Sequence, residues 1–240
     1  MLRAFKILLL LGLIAFGGLL LYGYARQHPE DMPWTRLDLA QPIGAFTGRK
    51  LAALNGEGPQ CRALLRRAGV RFVALPARAD GAQCGYRNAV RLRAGGALDV
   101  AYAPADLGTS CPVAAALALW EWHVVQPAAI RHLGTKVERI EHWGSYECRR
   151  MRGRSDAPWS EHATANALDI AAFRLEDGRR ISVLGDWKDQ DHKAAFLREI
   201  RDGACPLFAT VLSPDYNAAH RDHFHFDQAD RGEWGWRACR

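Results

Sequence analysis

At 240 residues, with 49% hydrophobic and 24% charged residues, the chain is long enough for one good-sized core plus a short appendage, and too short to hold two full domains comfortably. The formal net charge is +6, of which Arg3, Lys6 and Arg26 carry three, and the densest basic patch is Arg149-Arg150-Met151-Arg152-Gly153-Arg154. So mild a basic balance suits an acidic envelope polymer or lipid head groups, and it does not point to nucleic acid as a partner.

In chain order, residues 1–24 come first, and their apolar run from Ala4 to Tyr24 is long enough to cross a hydrocarbon core as a helix. The run ends Leu-Tyr-Gly-Tyr-Ala-Arg, without the small-residue pattern of a cleavage site, so an uncleaved single-pass anchor is expected. Residues 25–46 hold Pro29, Pro33 and Pro42 among polar residues and read as an extended tether. The domain proper is then 47–240. Its six cysteines, Cys61, Cys84, Cys111, Cys148, Cys205 and Cys239, are even in number, widely spaced and without a C-x-x-C pair. That is disulfide spacing, and with a leading membrane segment it places the domain outside the cytoplasm. Taking neighbours in sequence as partners predicts Cys61 with Cys84, Cys111 with Cys148, and Cys205 with Cys239.

Within the domain, Thr47 is expected to cap a short helix to Leu54, and Pro59 to open another that carries Cys61, Leu64 and Leu65 on one face. Residues 70–75 and 86–92 alternate apolar and polar side chains as half-buried strands do. Ser110 before Pro112 starts the main core helix, 113–133, bent at Pro127 and stopped at Gly134. Strands are expected at 137–142, 167–175, 179–184, 208–212 and 223–226, with a hairpin at Glu176-Asp177-Gly178, and a helix at 191–201. The result is an α+β domain with a small, mostly antiparallel sheet and flanking helices, preceded by one transmembrane helix.

Four of the nine histidines fall in two short segments, one spanning residues 160–169 with His162 and Asp169, the other spanning 220–227 with His220, His223 and His225. Imidazole and carboxylate are ordinary zinc ligands, and a catalytic zinc site uses three protein groups with a fourth position open to water. A single histidine of this kind more often packs under aromatic neighbours; the clustering is what makes a metal site the better reading.

The first segment, with Ser160, His162, Ala167 and Asp169, and the second, with His223-Phe224-His225, resemble zinc peptidases that cut D-amino-acid-containing wall peptides, the lysostaphin-type, D-Ala-D-Ala metallopeptidase and hedgehog-like group. More closely, Gly144-Ser145-Tyr146-Glu147-Cys148-Arg149, Ala167-Leu168-Asp169-Ile170, and Leu212-Ser213-Pro214-Asp215-Tyr216-Asn217 leading into His220 resemble the bacterial extensin-like C-terminal domain family, from about Pro33 onward. The resemblance implies a hedgehog/D-Ala-D-Ala metallopeptidase-like fold and one Zn2+ per chain, held by His162, Asp169 and His225. It implies amide hydrolysis in peptidoglycan peptides, of the D,D-endopeptidase or carboxypeptidase type. Where many of these peptidases place a glutamate base, this chain has Asp222, and its His220-x-x-His223-x-His225 pattern is similar to penicillin-insensitive murein endopeptidases.

His223 or His220 is therefore expected to move the proton, with Asp222 on the opposite face of the strand. By the same resemblance, Arg149 matches the position of an arginine that grips substrate carboxylate in the related carboxypeptidases, and Ser160 is expected to add a hydrogen bond. Of Trp143, Trp159 and Trp187, at least two are expected in the core, while Trp234 and Trp236 are expected to pin the C-terminus. The expected location is the inner membrane, single-pass, with the domain in the periplasm. The alternative function is a non-catalytic, zinc-containing wall-binding or structural module.

Overall fold

The computed structural model describes residues 2–151, 156–232 and 236–240. Helix α1 (Leu2–Gln27) has a mean hydropathy of 2.4 over its most apolar 18-residue window, and none of its residues is buried. It has the length and composition of a membrane span or a signal sequence. Residues 28–46 are not a free tether. Leu39 is buried in the core, Met32 is also buried, and the Lys50 ammonium group donates to the Pro29 and Glu30 carbonyls and to Thr35 Oγ1. The prolines keep the segment irregular, but its apolar residues lay it against the domain.

Short helices α2 (Thr47–Ala52) and α3 (Gly58–Arg67) follow, and α3 buries Cys61, Leu64 and Leu65 as its spacing predicts. Thr47 is the first residue of α2 and not its cap; its hydroxyl accepts from Gly44 N. The central helix begins at Ser110, whose hydroxyl accepts from Val113 N, and every residue of α4 (Cys111–Trp120) is buried. Its axis continues through a π-helical turn (Glu121–Val125) into α5 (Gln126–Leu133). The wider turn accommodates Pro127, which has no N–H to donate and whose ring would crowd the carbonyl one turn earlier. Gly134, at φ 74°, closes the helix in the left-handed conformation that glycine adopts without strain. Although this stretch is apolar enough to span a membrane, 72% of its most apolar window is buried inside the protein.

The strands are β1 (Val70–Ala74), β2 (Arg78–Ala79), β3 (Gly85–Tyr86), β4 (Ala89–Gly96), β5 (Ala101–Ala103), β6 (Gly108–Ser110), β7 (Val137–Gly144), β8 (Ala167–Leu175), β9 (Arg180–Ser182), β10 (Thr210–Leu212), β11 (Phe224–Asp227) and β12 (Ala238–Cys239). The stretch expected as one strand at 86–92 is two, β3 and β4, which belong to different sheets. Residues 183–184, expected to end a strand, open helix α6 (Val183–Asp186); helix α7 (His192–Ala204) is capped by Asp191. The main sheet runs β12-β10-β11-β8-β7-β5, antiparallel except for β5 with β7 and β10 with β12. Strand β8 pairs with β7 along one edge; its other edge is shared by β11 over the first half and β9 over the second.

One sequence alternation positions the site. Phe224 and Phe226 of β11 face the core, where Phe226 meets Trp120 edge-on at 5.2 Å and stacks on Phe208 at 4.9 Å. Successive side chains on a strand leave by opposite faces, so His225 and Asp227 are displayed on the other side.

Three disulfides form, and no described cysteine is free. Cys205–Cys239 is as expected, but the other two are Cys61–Cys111 and Cys84–Cys148. The expectation favoured short loops, yet closure entropy rises only logarithmically with loop length, so facing geometry decides. Cys61 on α3 and Cys111 at the start of α4 are both fully buried with Cα atoms 6.0 Å apart. Of the three tryptophans near the motifs, only Trp187 is core; Trp143 is exposed and Trp159 half-buried under the Arg150 guanidinium. Trp234 lies outside the described residues. Trp236 is 67% exposed and does not pin the C-terminus, which is held by β12 and the Cys205–Cys239 bridge.

Candidate metal centre

Asp169 on β8 and His225 on β11 are register partners across the antiparallel pair. They share a face because direct partners do. His162 reaches the same point from a short 3-10 helix, Glu161–Thr164, whose N-cap is Ser160. Ser160 is buried and its hydroxyl accepts from His162 N, so it shapes the turn that carries His162. After His162 the chain reverses at Ala165, which has φ 55°, an uncommon conformation for a residue with a side chain. Its carbonyl accepts from Ser110 N, Thr109 Oγ1 and Ser145 Oγ, and these three bonds hold the turn.

The three groups converge closely. His162 Nε2 lies 3.2 Å from both His225 Nδ1 and Asp169 Oδ2, and His225 Nδ1 lies 2.9 Å from Asp169 Oδ1. Each ring is fixed from behind by an oxygen. His162 Nδ1 donates to the Ser145 carbonyl at 2.9 Å, which leaves Nε2 as a lone pair facing inward. His225 Nε2 donates to Asp227 Oδ2 at 3.2 Å, turning Nδ1 inward. Two ring lone pairs and a carboxylate aimed at one buried point repel each other unless something positive lies between them.

A second proton on His225 is one solution. Burial disfavours the charged ring, but hydrogen bonds and attraction from Asp169 and Asp227 outweigh it and raise the pKa to about 9. Burial also works against the Asp169 carboxylate, and the His162 and His225 hydrogen bonds outweigh it, holding the group well below the usual carboxylate range. A divalent cation satisfies all three groups at once, and the donor set of two imidazoles and one carboxylate fits zinc, with the outer oxygens setting the tautomers as metal sites require.

The other expected residues border this centre. His223 Nδ1 donates to Asp222 Oδ1 at 3.0 Å, and its Nε2 lies 3.7 Å from Asp169 Oδ1. This corrects the expected orientation of Asp222. His223 precedes β11, where strand alternation does not apply, and the carboxylate turns back to its neighbour. His220 Nδ1 bonds Asn217 Oδ1, and its ring lies 5.2 Å from that of His223 and 6.0 Å from that of His225. Burial, then repulsion from His223 and His225, lowers its pKa to about 4. The Arg149 side chain is partly exposed, bonds Glu147 at 2.6 Å, and lies near enough to add to the lowering at His220.

Two contributors were not anticipated. Asp227 had a readable signal, because it stands two residues after His225 on the same strand face. The Ser145 carbonyl had none, since any residue type carries a carbonyl; Gly144 before it, at φ 108°, ends β7 in a backbone turn that glycine permits.

Comparison with protein-family models matches residues 59–240, well over half the chain, to the family described as extensin-like protein C-terminus. No curated protein and no solved structure gives a significant match.

Proposed function

The chain belongs to the extensin-like protein C-terminus family, and on that premise we propose that it is a zinc-dependent hydrolase of amide bonds in peptidoglycan peptides, of the D,D-endopeptidase or carboxypeptidase type. The observation that carries the proposal is the buried convergence of His162 Nε2, Asp169 and His225 Nδ1, with both rings turned inward by oxygens behind them. Zinc held there supplies Lewis acidity, acidifying water and polarising a carbonyl. His223 is the proton carrier in this reading. Its Nδ1–H is committed to Asp222, so Nε2 is the free lone pair, and that atom faces the cluster.

His220, kept neutral by its surroundings, orients substrate or His223, and Arg149 offers its guanidinium to a substrate carboxylate at the rim. We further propose that the fold is hedgehog/D-Ala-D-Ala metallopeptidase-like, that α1 is a single-pass inner-membrane anchor, and that the domain works in the periplasm. The apolar character of α1 and three disulfides support that placement.

The wild-type protein is expected to carry about one zinc per chain, and His162→Ala or Asp169→Ala to lose both zinc and the release of new amino termini from wall peptides. Stoichiometric zinc in both variants, measured by elemental analysis, contradicts the ligand assignment. Stoichiometric zinc with no cleavage by the wild type puts a wall-binding module in place of the hydrolase.

A further inference from the structure

Beside the metal centre lies a cleft of about 490 Å³, lined by parts of β4, β6 and β7 and the loop that leads into β6. It shares residues with the centre. Ser145, whose carbonyl fixes His162, and Trp143, whose ring lies 4.8 Å from that of His223, both line it. Whatever occupies the cleft is therefore held alongside the His–Asp–His cluster.

Two opposite charges line this cleft without meeting. Arg91, half-buried on β4 opposite Gly108, has an Nε shielded from solvent with no hydrogen-bond partner, and it forms no ion pair among the described residues. Asp106, exposed in the loop before β6, likewise forms no ion pair among the described residues. Arg78, Tyr146 and the Ser145 hydroxyl are already engaged, while His142 Nδ1 is buried without a partner. Arg78 is bound to Asp80, which also accepts from the Tyr146 hydroxyl, and the Arg78 guanidinium lies 4.4 Å over the Tyr146 ring. His142 Nε2 donates to the Pro104 carbonyl, and burial lowers its pKa, so at neutral pH it adds no charge. A half-buried guanidinium without a carboxylate is costly, and a ligand carboxylate relieves that cost through charge-assisted, bidentate hydrogen bonds.

We propose that this cleft is a substrate subsite for a zwitterionic amino-acid end, its carboxylate on Arg91 and its ammonium group on Asp106, with the adjoining amide lying toward Trp143 and His223. Leu75 and Leu107 add apolar lining for the carbon chain between the two charges. The proposal rests on the hydrolase reading of the neighbouring centre and names the class of peptide that centre receives.

The test uses the full, zinc-loaded chain in detergent and three short peptides. The first ends in a diamino-acid residue with free carboxylate and free ammonium, the second is its carboxamide, and the third is its N-acetylated form. Calorimetry is expected to show the wild type favouring the zwitterion about tenfold over either blocked peptide. Arg91→Gln is expected to lose the discrimination against the carboxamide alone, and Asp106→Asn the discrimination against the acetylated peptide alone, with zinc content unchanged. Asp106 is exposed, so its variant keeps the test decisive even if Arg91→Gln does not fold. Equal wild-type affinity for all three peptides, or a variant that weakens all three alike, overturns the subsite. Cleavage followed in parallel separates the two proposals: selective binding without cutting removes the hydrolase reading alone, and cutting without selectivity removes the subsite alone.

Discussion

His223 and Asp222 form the part of the site where one atom decides a role. The carboxylate of Asp222 can only accept, so it fixes the proton on His223 Nδ1 and leaves Nε2 to take one from water. His223→Ala is therefore expected to keep zinc and to lose at least about a hundredfold in rate. Asp222→Asn keeps an acceptor for Nδ1 but removes the charge, and a loss of about tenfold is expected, in the range of an orienting partner. Rates of amino-terminus release, with zinc measured on each variant, check both. Near wild-type activity in His223→Ala with none in Asp222→Asn assigns the base to the carboxylate instead. At this scale the sequence was informative because imidazoles and carboxylates are residue types: His162, Asp169 and His225, singled out by their spacing, come together within 4.8 Å. The orientation of Asp222 was not legible, since His223 lies just outside the strand whose alternation was used to place it.

At the scale of elements, long segments with clear end signals were legible, while some of the shortest were not. The central helix starts at Ser110, widens into a π-helical turn just before Pro127 and stops at Gly134, each for a local chemical reason. Strands β5 and β6 have three residues each, too few for a period to show. The helix also holds a group whose state depends on pH. Glu121 lies in the π-helical turn, fully buried, with Oε1 accepting from Asp99 N and Val100 N and Oε2 without a partner. Burial raises its pKa to about 7, with those two backbone bonds opposing.

A carboxyl whose folded pKa exceeds its unfolded value binds more protons in the native state, so its protonation favours the fold at low pH. That contribution is complete below the unfolded value, 4.5, and is lost as pH rises to about 7. The loss is on the order of 3 kcal/mol. Glu121→Gln keeps the acceptor and cannot ionise, so urea unfolding is expected to show a flatter stability profile between those limits and a variant more stable than wild type above them. A parallel profile for both proteins contradicts the assignment.

At the scale of the whole molecule, buried apolar contacts and covalent ties act together. The Cys84–Cys148 bridge joins the loop before β3 to the segment that follows β7, next to the Ser145 carbonyl behind His162. The site is thus tied to a disulfide-bonded scaffold that suits an oxidising compartment, and α1 has the length and composition of a membrane span or a signal sequence. Two of the three cysteine pairings were not readable from spacing, because proximity in sequence says little about which elements face each other. The central claim is that this assembly cuts wall peptides with zinc. Its most direct test is mass spectrometry of purified peptidoglycan fragments incubated with the full, zinc-loaded chain in detergent, with His162→Ala as the control. Product pairs that together equal the substrate plus one water, formed by the wild type and absent with the variant, are predicted; fragments left intact by zinc-loaded wild type, or cut equally by both proteins, contradict it.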